Sequence, residues 1–176
     1  MDTETTGLHD ETRIVDLGVT NAAGDVLMDT LINPGEPIPP DATDIHGITD
    51  AQVATAPSFA AVLDQLAAVL HGRRCVIYNR AFDVVRLRYE LTVHYRQTGH
   101  EDPEGAADSW LGKVRFEDAM VPYSDRYGDW SEYWGNYAWQ PLYGGDHRAV
   151  SDCRAVVKRL WEMAKGRGFE FSEGRS

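Results

Sequence analysis

The chain opens MDTETTGL (residues 1–8), and the reading of that stretch governs the reading of the rest. Side chains two apart on an extended strand share a face, so Asp2 and Glu4 project together if these residues are a strand. Two unit charges ~4 Å apart repel by roughly 4 kcal/mol at an effective dielectric near 20. Such a pair stays close only where solvent screens it or a cation lies between. A frayed, solvated terminus meets the first condition. The second requires matching partners elsewhere in the chain.

The 176 residues are 43% hydrophobic and 26% charged, a mixture that suits a single domain with a core over 1–176. No apolar run approaches the ~18–20 residues that cross a bilayer, and no signal peptide opens the chain, so a cytoplasmic protein without a membrane partner is expected. Cys75 and Cys153 lie in apolar segments and read as buried thiols of a reducing compartment. The net charge of −11, with a pI near 4.9, argues against a broad basic face for gripping nucleic acid. It leaves room for a small site where cations neutralise phosphate.

Working outward from the first residues, RIVDLGVT (13–20) alternates as a strand, AAGD (22–25) turns, and VLMDTLIN (26–33) returns. PGEPIPPDATDIHGIT (34–49) reads as a long Pro-rich loop without regular structure. Phe59, Val62, Leu63, Leu66, Val69 and Leu70 then recur at helical spacing, with Ser58 placed to cap the helix. RCVIY (74–78) reads as a buried strand, 81–97 as a helix, 99–112 as a polar insertion and VRFED (114–118) as another strand. A last helix over 149–165 is expected to bury Val150, Cys153, Val156, Val157, Leu160 and Trp161. A hairpin followed by strand–helix alternation implies an α/β protein, a mixed sheet with helices packed on it.

Three more candidate groups join Asp2 and Glu4. Asp83, in YNRAFD (78–83), follows a strand and begins a helix; His147 and Asp152 lie in HRAVSD (147–152). Sites in open sheets form at such strand ends. Each group also has a plain reading: Asp83 as a helix cap, Asp152 as an exposed helix residue, His147 as a surface histidine. Five residues on one ideal helix separate two side chains by ~140°. His147 and Asp152 therefore meet only if His147 sits in the loop ahead of the helix, which the glycines of GGDH (144–147) allow.

In this order and spacing, DTETTGL (2–8), NRAFDVVRL (79–87) and HRAVSD (147–152) resemble the motifs of the DEDDh 3′–5′ exonucleases. That family includes the proofreading exonucleases of DNA polymerases and RNase T-like enzymes. DIHGIT (44–49) is similar to its loop before the first long helix. The sister group carries a tyrosine four residues before the last aspartate. Here that position is Arg148, and His147 stands at the five-residue spacing of the histidine branch.

The resemblance implies an RNase H-like mixed five-stranded sheet with helices on both faces. It implies two divalent cations, Mg²⁺ or Mn²⁺: Asp2, Glu4 and Asp152 on the first, Asp2 and Asp83 on the second, with His147 as general base. Hard cations favour such oxygen donors, and a metal pair activates water and steadies the charge of a phosphoryl transition state. An imidazole with its ordinary pKa near 6.5 suits the base, so activity should fall in acid along a single histidine-like titration. The resemblance also assigns substrate contacts to Thr5, Thr6, Gly7, Leu8, His46, Asn79 and Phe82. The implied partner is the 3′ end of a single-stranded nucleic acid, with a homodimer or an association with replication and repair machinery as further options. DNA and RNA stay equally open.

Two stretches stand apart. WSEYWGNYAWQPLY (130–143) has aromatics able to stack bases or fill a core, and packing is the favoured reading. Arg80, Arg86, Arg88 and Arg148 could meet phosphate or be solvated. In the family the first motif ends a central strand that begins several residues earlier; here only Met1 precedes Asp2. A truncated first central strand is therefore expected, with lower stability and weaker metal binding than an N-terminally extended chain. Two alternatives to the exonuclease follow: a catalytically impaired nucleic-acid-binding or interaction module, and a scavenger of short oligoribonucleotides.

Overall fold

The computed structural model describes residues 1–166; residues 167–176 of the expected domain lie outside the described residues. The first strands form a meander. β1 (Asp2–Thr5) pairs antiparallel with β2 (Ile14–Thr20), which pairs antiparallel with β3 (Val26–Leu31). Beyond them, β4 (Arg74–Ile77) and β5 (Arg115–Asp118) form a parallel ladder.

The two ladders approach at the N-terminus, where the Met1 amine donates to the Val76 carbonyl over 3.1 Å. The strands thus register as three plus two instead of the single five-stranded sheet expected. The pairing of β1 with β2 ends at Asp2↔Gly18, while β2 runs on to Thr20.

Adjacent residues of β2 face opposite ways, and each face meets helices. Leu17 and Val19 enter the main core with Leu63 and Leu66 of α3 (Phe59–Leu70) and Leu87 and Leu91 of α4 (Arg80–Gln97). Asp16 and Gly18 face α7 (Ala149–Ala164) instead. Glycine at 18 is a steric requirement: a Cβ there would lie 2.6 Å from the backbone of Ala149 and Val150. That close approach seats the first turn of α7, which carries Asp152, against the sheet. Cys153 completes the contact, its thiol reaching the Gly18 carbonyl at 3.3 Å. Cys75 and Cys153 are both buried free thiols.

The structure corrects several expectations. The Pro-rich segment holds one short helix, α1 (Pro40–His46), and a second, α2 (Asp50–Val53), follows directly after it. Pro40 suits the first helical position because it lacks only an N–H that has no partner there. At α2 the Gln52 side chain accepts from the Thr49 N–H over 2.8 Å. Ala42 and Val53 then join Val15, Ile38 and Ile48 in a second small core.

The polar insertion holds α5 (Pro103–Leu111), capped by Asp102 accepting from the Gly105 N–H over 2.9 Å, with Ala107 and Trp110 buried. Ser58 occupies the N-cap position of α3, but its hydroxyl makes no capping bond. In α7, Val150, Cys153 and Val156 are buried, Val157 and Leu160 are half-buried, and Trp161 is exposed, because only the first two turns lie against the sheet. After β5 come α6 (Met120–Tyr127) and a short hairpin of β6 (Trp130–Ser131) and β7 (Asn136–Tyr137). No described helix is long and apolar enough to cross a membrane.

Candidate active site

β1 brings its two carboxylates to the mouth of a cleft of about 960 Å³, whose walls come from four parts of the chain. Asp2, Glu4 and the segment Thr5–His9 form one wall. Tyr78, Asn79, Phe82 and Asp83 form a second, Pro39 to Ile45 a third, and Leu142, His147 and Asp152 close the site.

Asp83 lies in the first turn of α4 and is buried, and its carboxylate accepts from the Thr3 hydroxyl over 2.8 Å. Asn79, which begins that helix, adopts φ 59°, a left-handed conformation that asparagine tolerates better than most residues. His147 shares this feature at φ 57° and lies in the loop ahead of α7, as its meeting with Asp152 requires. Ligand atoms of Glu4, His147 and Asp152 all lie within 4.8 Å of one another. Gly145 makes room for this meeting, since a Cβ there would collide with the Asp152 carboxylate. The same carboxylate accepts from the Asp146 N–H over 3.0 Å.

Four carboxylates drawn this close, and shielded from water, resist ionisation. Burial raises Asp2 well above the usual carboxylate range, with Asp83, Asp152 and Glu4 adding repulsion. Burial and then Asp152, Asp16 and Asp83 push Glu4 up to about 8. Burial lifts Asp83 to about 7 against the opposing Thr3 hydrogen bond. Asp152 is likewise raised by burial, with the backbone N–H groups of Asp146 and His147 pulling the other way. A cluster of raised carboxyls with the His147 imidazole beside it is an arrangement that a bound cation would relieve. All the donors are hard oxygens or imidazole, which suits Mg²⁺ or Mn²⁺.

The expected substrate-contact residues divide. Thr5, Thr6, Gly7, Leu8, Asn79 and Phe82 line the cleft, Leu8 being 77% exposed at its rim. His46 does not line it. This side chain is buried behind β1, where Nδ1 accepts from the Ile48 N–H (3.0 Å) and Nε2 meets the Thr5 carbonyl (3.3 Å). The first bond requires an unprotonated Nδ1, which leaves Nε2–H to donate to Thr5. Burial lowers the His46 pKa, consistent with a neutral ring.

Three of the arginines have protein partners. Arg86 is buried, spans the Leu8 and His9 carbonyls and stacks 3.8 Å from the Phe82 ring centre. Arg88 pairs with Asp108 at the surface, and Arg148 pairs with buried Asp16 at 3.0 Å. Arg80 is exposed.

Sequence reasoning missed several supports: Thr3 behind Asp83, Asp16 under the start of α7, Gly145 beside Asp152, and Tyr78, whose hydroxyl donates to the Gln140 carbonyl over 2.6 Å. Only Asp16 carried a visible signal, as a charge inside an otherwise apolar strand. The aromatic stretch was expected to pack and does not: Trp130, Tyr133, Trp134, Trp139 and Tyr143 are exposed.

Comparison with known proteins agrees with this geometry. The profile of the RNase T exonuclease family matches residues 1–160. An uncharacterised exonuclease of Escherichia phage 186 is 33% identical, over 94% of this chain and 87% of its own length. The DNA polymerase III epsilon subunit of Escherichia coli K12 is 29% identical over 53% of this chain, and the match spans only 42% of that subunit. Among solved structures, exonuclease X in complex with 5′-overhanging duplex DNA superposes with a TM-score of 0.54 and 24% identity, covering 95% of this chain and 92% of that one. Escherichia coli exonuclease I in complex with an oligonucleotide gives a TM-score of 0.65 at 21% identity, over 94% of this chain and 40% of that one. At those identities the structures establish the shared fold, while the profile and the phage relative establish descent. This chain belongs to the DEDDh-type exonucleases of the RNase H-like superfamily.

Proposed function

We propose that the protein is a divalent-metal-dependent 3′–5′ exonuclease that shortens single-stranded nucleic acid and releases nucleoside 5′-monophosphates. The observation that carries this reading is the convergence of Asp2, Glu4, Asp83, Asp152 and His147 at one end of the cleft. Asp2, Glu4 and Asp152 would hold one cation, and Asp2 with Asp83 a second. Bound there, the cations would lower the pKa of the attacking water and neutralise charge at the phosphate.

The chain's own residues do the rest. His147, exposed at the mouth, accepts the proton from the attacking water. The water oxygen bonds to the terminal phosphorus as the bond to the 3′ oxygen of the preceding nucleotide breaks, and that oxygen takes up a proton from solvent. Gly7 lets the backbone approach the terminal sugar, and Leu8 and Phe82 offer apolar surface to the last base. His46 is a positioning residue that holds the Thr5 carbonyl from behind. Arg86, fixed across the Leu8 and His9 carbonyls, keeps that wall in place. DNA is the first substrate to try, because the structural relatives are seen with it.

The test uses 5′-labelled and 3′-labelled DNA and RNA strands with Mg²⁺, Mn²⁺ or EDTA. A ladder receding from the 3′ end on the 5′-labelled strand, abolished by EDTA, is expected. Loss of the 5′ label first, or cleavage that persists in EDTA, would overturn the reading.

A further inference from the structure

The exposed aromatic hairpin has no part in the cleft chemistry, and its geometry accounts for that exposure. Trp130 and Tyr137 are cross-strand partners, packed edge to face with ring centres 5.2 Å apart. They brace the two short strands. The turn between them passes through Gly135 at φ 63° and is closed by the Gly135 N–H donating to the Ser131 carbonyl over 2.9 Å.

So held, the hairpin presents Tyr133 and Trp134 at 83% and 72% exposure, and Trp139 follows at 69%. Trp134 and Trp139 enclose a hollow of about 410 Å³ with Asn136 and Ala138. This volume lies in the ~300–1,000 Å³ range of small-molecule sites. The chain ties the hollow to the cleft wall. Trp139 immediately precedes buried Gln140, whose carbonyl is held by the hydroxyl of Tyr78, a cleft-lining side chain. The chain then runs through Leu142 to His147, both lining the cleft.

From this we infer that the Trp134–Trp139 hollow is a stacking site for unpaired bases of the strand whose 3′ end occupies the cleft. The inference rests on the exonuclease reading. Residues 127–147 contain no lysine or arginine and carry Asp129, Glu132 and Asp146. The lining of the hollow itself offers phosphate no cation, only ring faces and the Asn136 amide. Every base has a face to stack, so the site is indifferent to sequence. A paired base is already stacked and bonded within its duplex, so the site favours single strands. Because the contact is not ionic, its contribution should survive added salt, unlike a phosphate contact.

The experiment compares the wild type with Trp134→Ala/Trp139→Ala and Trp134→Phe/Trp139→Phe, each shown to melt cooperatively. Binding of a fluorescently labelled thymidine oligomer of roughly a dozen nucleotides is followed by anisotropy in EDTA, at low and high salt. Turnover of that oligomer and of a dinucleotide is then measured in Mg²⁺.

The alanine pair should weaken oligomer binding by about tenfold or more at both salt concentrations. It should raise KM for the oligomer about tenfold more than for the dinucleotide, and the phenylalanine pair should recover most of both losses. Equal binding and equal KM ratios in wild type and alanine pair would overturn the inference and leave the hairpin to a protein partner. A wild type that cleaves nothing yet loses oligomer affinity in the alanine pair would overturn the exonuclease reading alone.

Discussion

β1 and the β6–β7 hairpin invert the usual rule of burial in opposite directions. In β1, polar side chains are withdrawn from water: Thr3 and Thr5 are buried, and the carboxylates of Asp2 and Glu4 are held where ionisation is resisted. In the hairpin, large aromatic rings are held out in solvent. Either departure costs free energy in the isolated chain, since buried charge and exposed apolar surface are both unfavourable. β1 lines the cleft, and the chain that leaves the hairpin reaches it at Leu142 and His147. A buried polar cluster and an exposed apolar patch are the informative deviations on a protein surface. Here the first points to a cation and the second to an uncharged surface.

Removing one charge from the buried cluster should break the comparison most severely. Asp152→Asn keeps the side chain's size and its acceptor for the Asp146 N–H but deletes a ligand. Turnover with Mg²⁺ should fall by about a thousandfold or more, several kcal/mol of transition-state stabilisation. The metal-free melting temperature at pH 8 should rise, because one repelling carboxylate is gone. A fall in both would mean that Asp152 supports the fold instead of the chemistry.

Gly18→Ala comes next. The added methyl meets the backbone of Ala149 and Val150, which cannot rotate away, so overpacking of roughly 1–3 kcal/mol is expected. For a chain of this size that is a drop of several degrees in melting temperature. Activity should fall as well, since α7 carries Asp152.

The third effect is a pH dependence. Glu4 and Asp83 bind protons more tightly in the folded protein than in the unfolded chain. Their contribution is therefore full below about pH 4 and is lost as pH rises through about 7 for Asp83 and about 8 for Glu4. Without metal, the melting temperature should drop by several degrees between pH 5 and pH 8. Mg²⁺ should restore more of it at pH 8, where protons no longer compete for the oxygens. A metal-free protein equally stable at both pH values would remove the electrostatic half of the comparison. The same titrations should broaden the acid side of the pH–activity profile beyond a single histidine-like step.

The smallest effect should come from the hairpin. Trp134→Ala deletes a ring that is 72% exposed, and stability should change by no more than about 0.5 kcal/mol in a thermal melt. A larger loss would show that the ring supports the fold.

Much of this was readable in the order of residues. Strands β2 to β5 and the helices α3, α4 and α7 follow from apolar patterning, because each must present apolar residues to reach the core, whereas the short β6 and β7 left no such pattern. The five groups at the cleft were found by their spacing and the family resemblance. What periodicity could not show was how polar segments are used. α5 lies in a stretch that reads as an insertion, and Ala107 and Trp110 are too few to set a period. The short helices near Pro40 and Thr49 are built by their end residues and by docking onto Val15. Glu90, which the sequence reading did not single out, is buried in α4 and clamped by two of the Arg13 guanidinium nitrogens at 2.9 Å. Aromatic residues in a dense run read as core by composition alone. Their exposure comes from the brevity of the hairpin that carries them.

The most direct test is calorimetric titration of the metal-free protein with Mn²⁺ at pH 8, alongside Asp2→Asn. The account predicts saturable binding of two cations per chain, with both sites weakened in the variant because Asp2 is shared between them. Absence of saturable binding in a folded wild type, or binding that Asp2→Asn leaves unchanged, would contradict it.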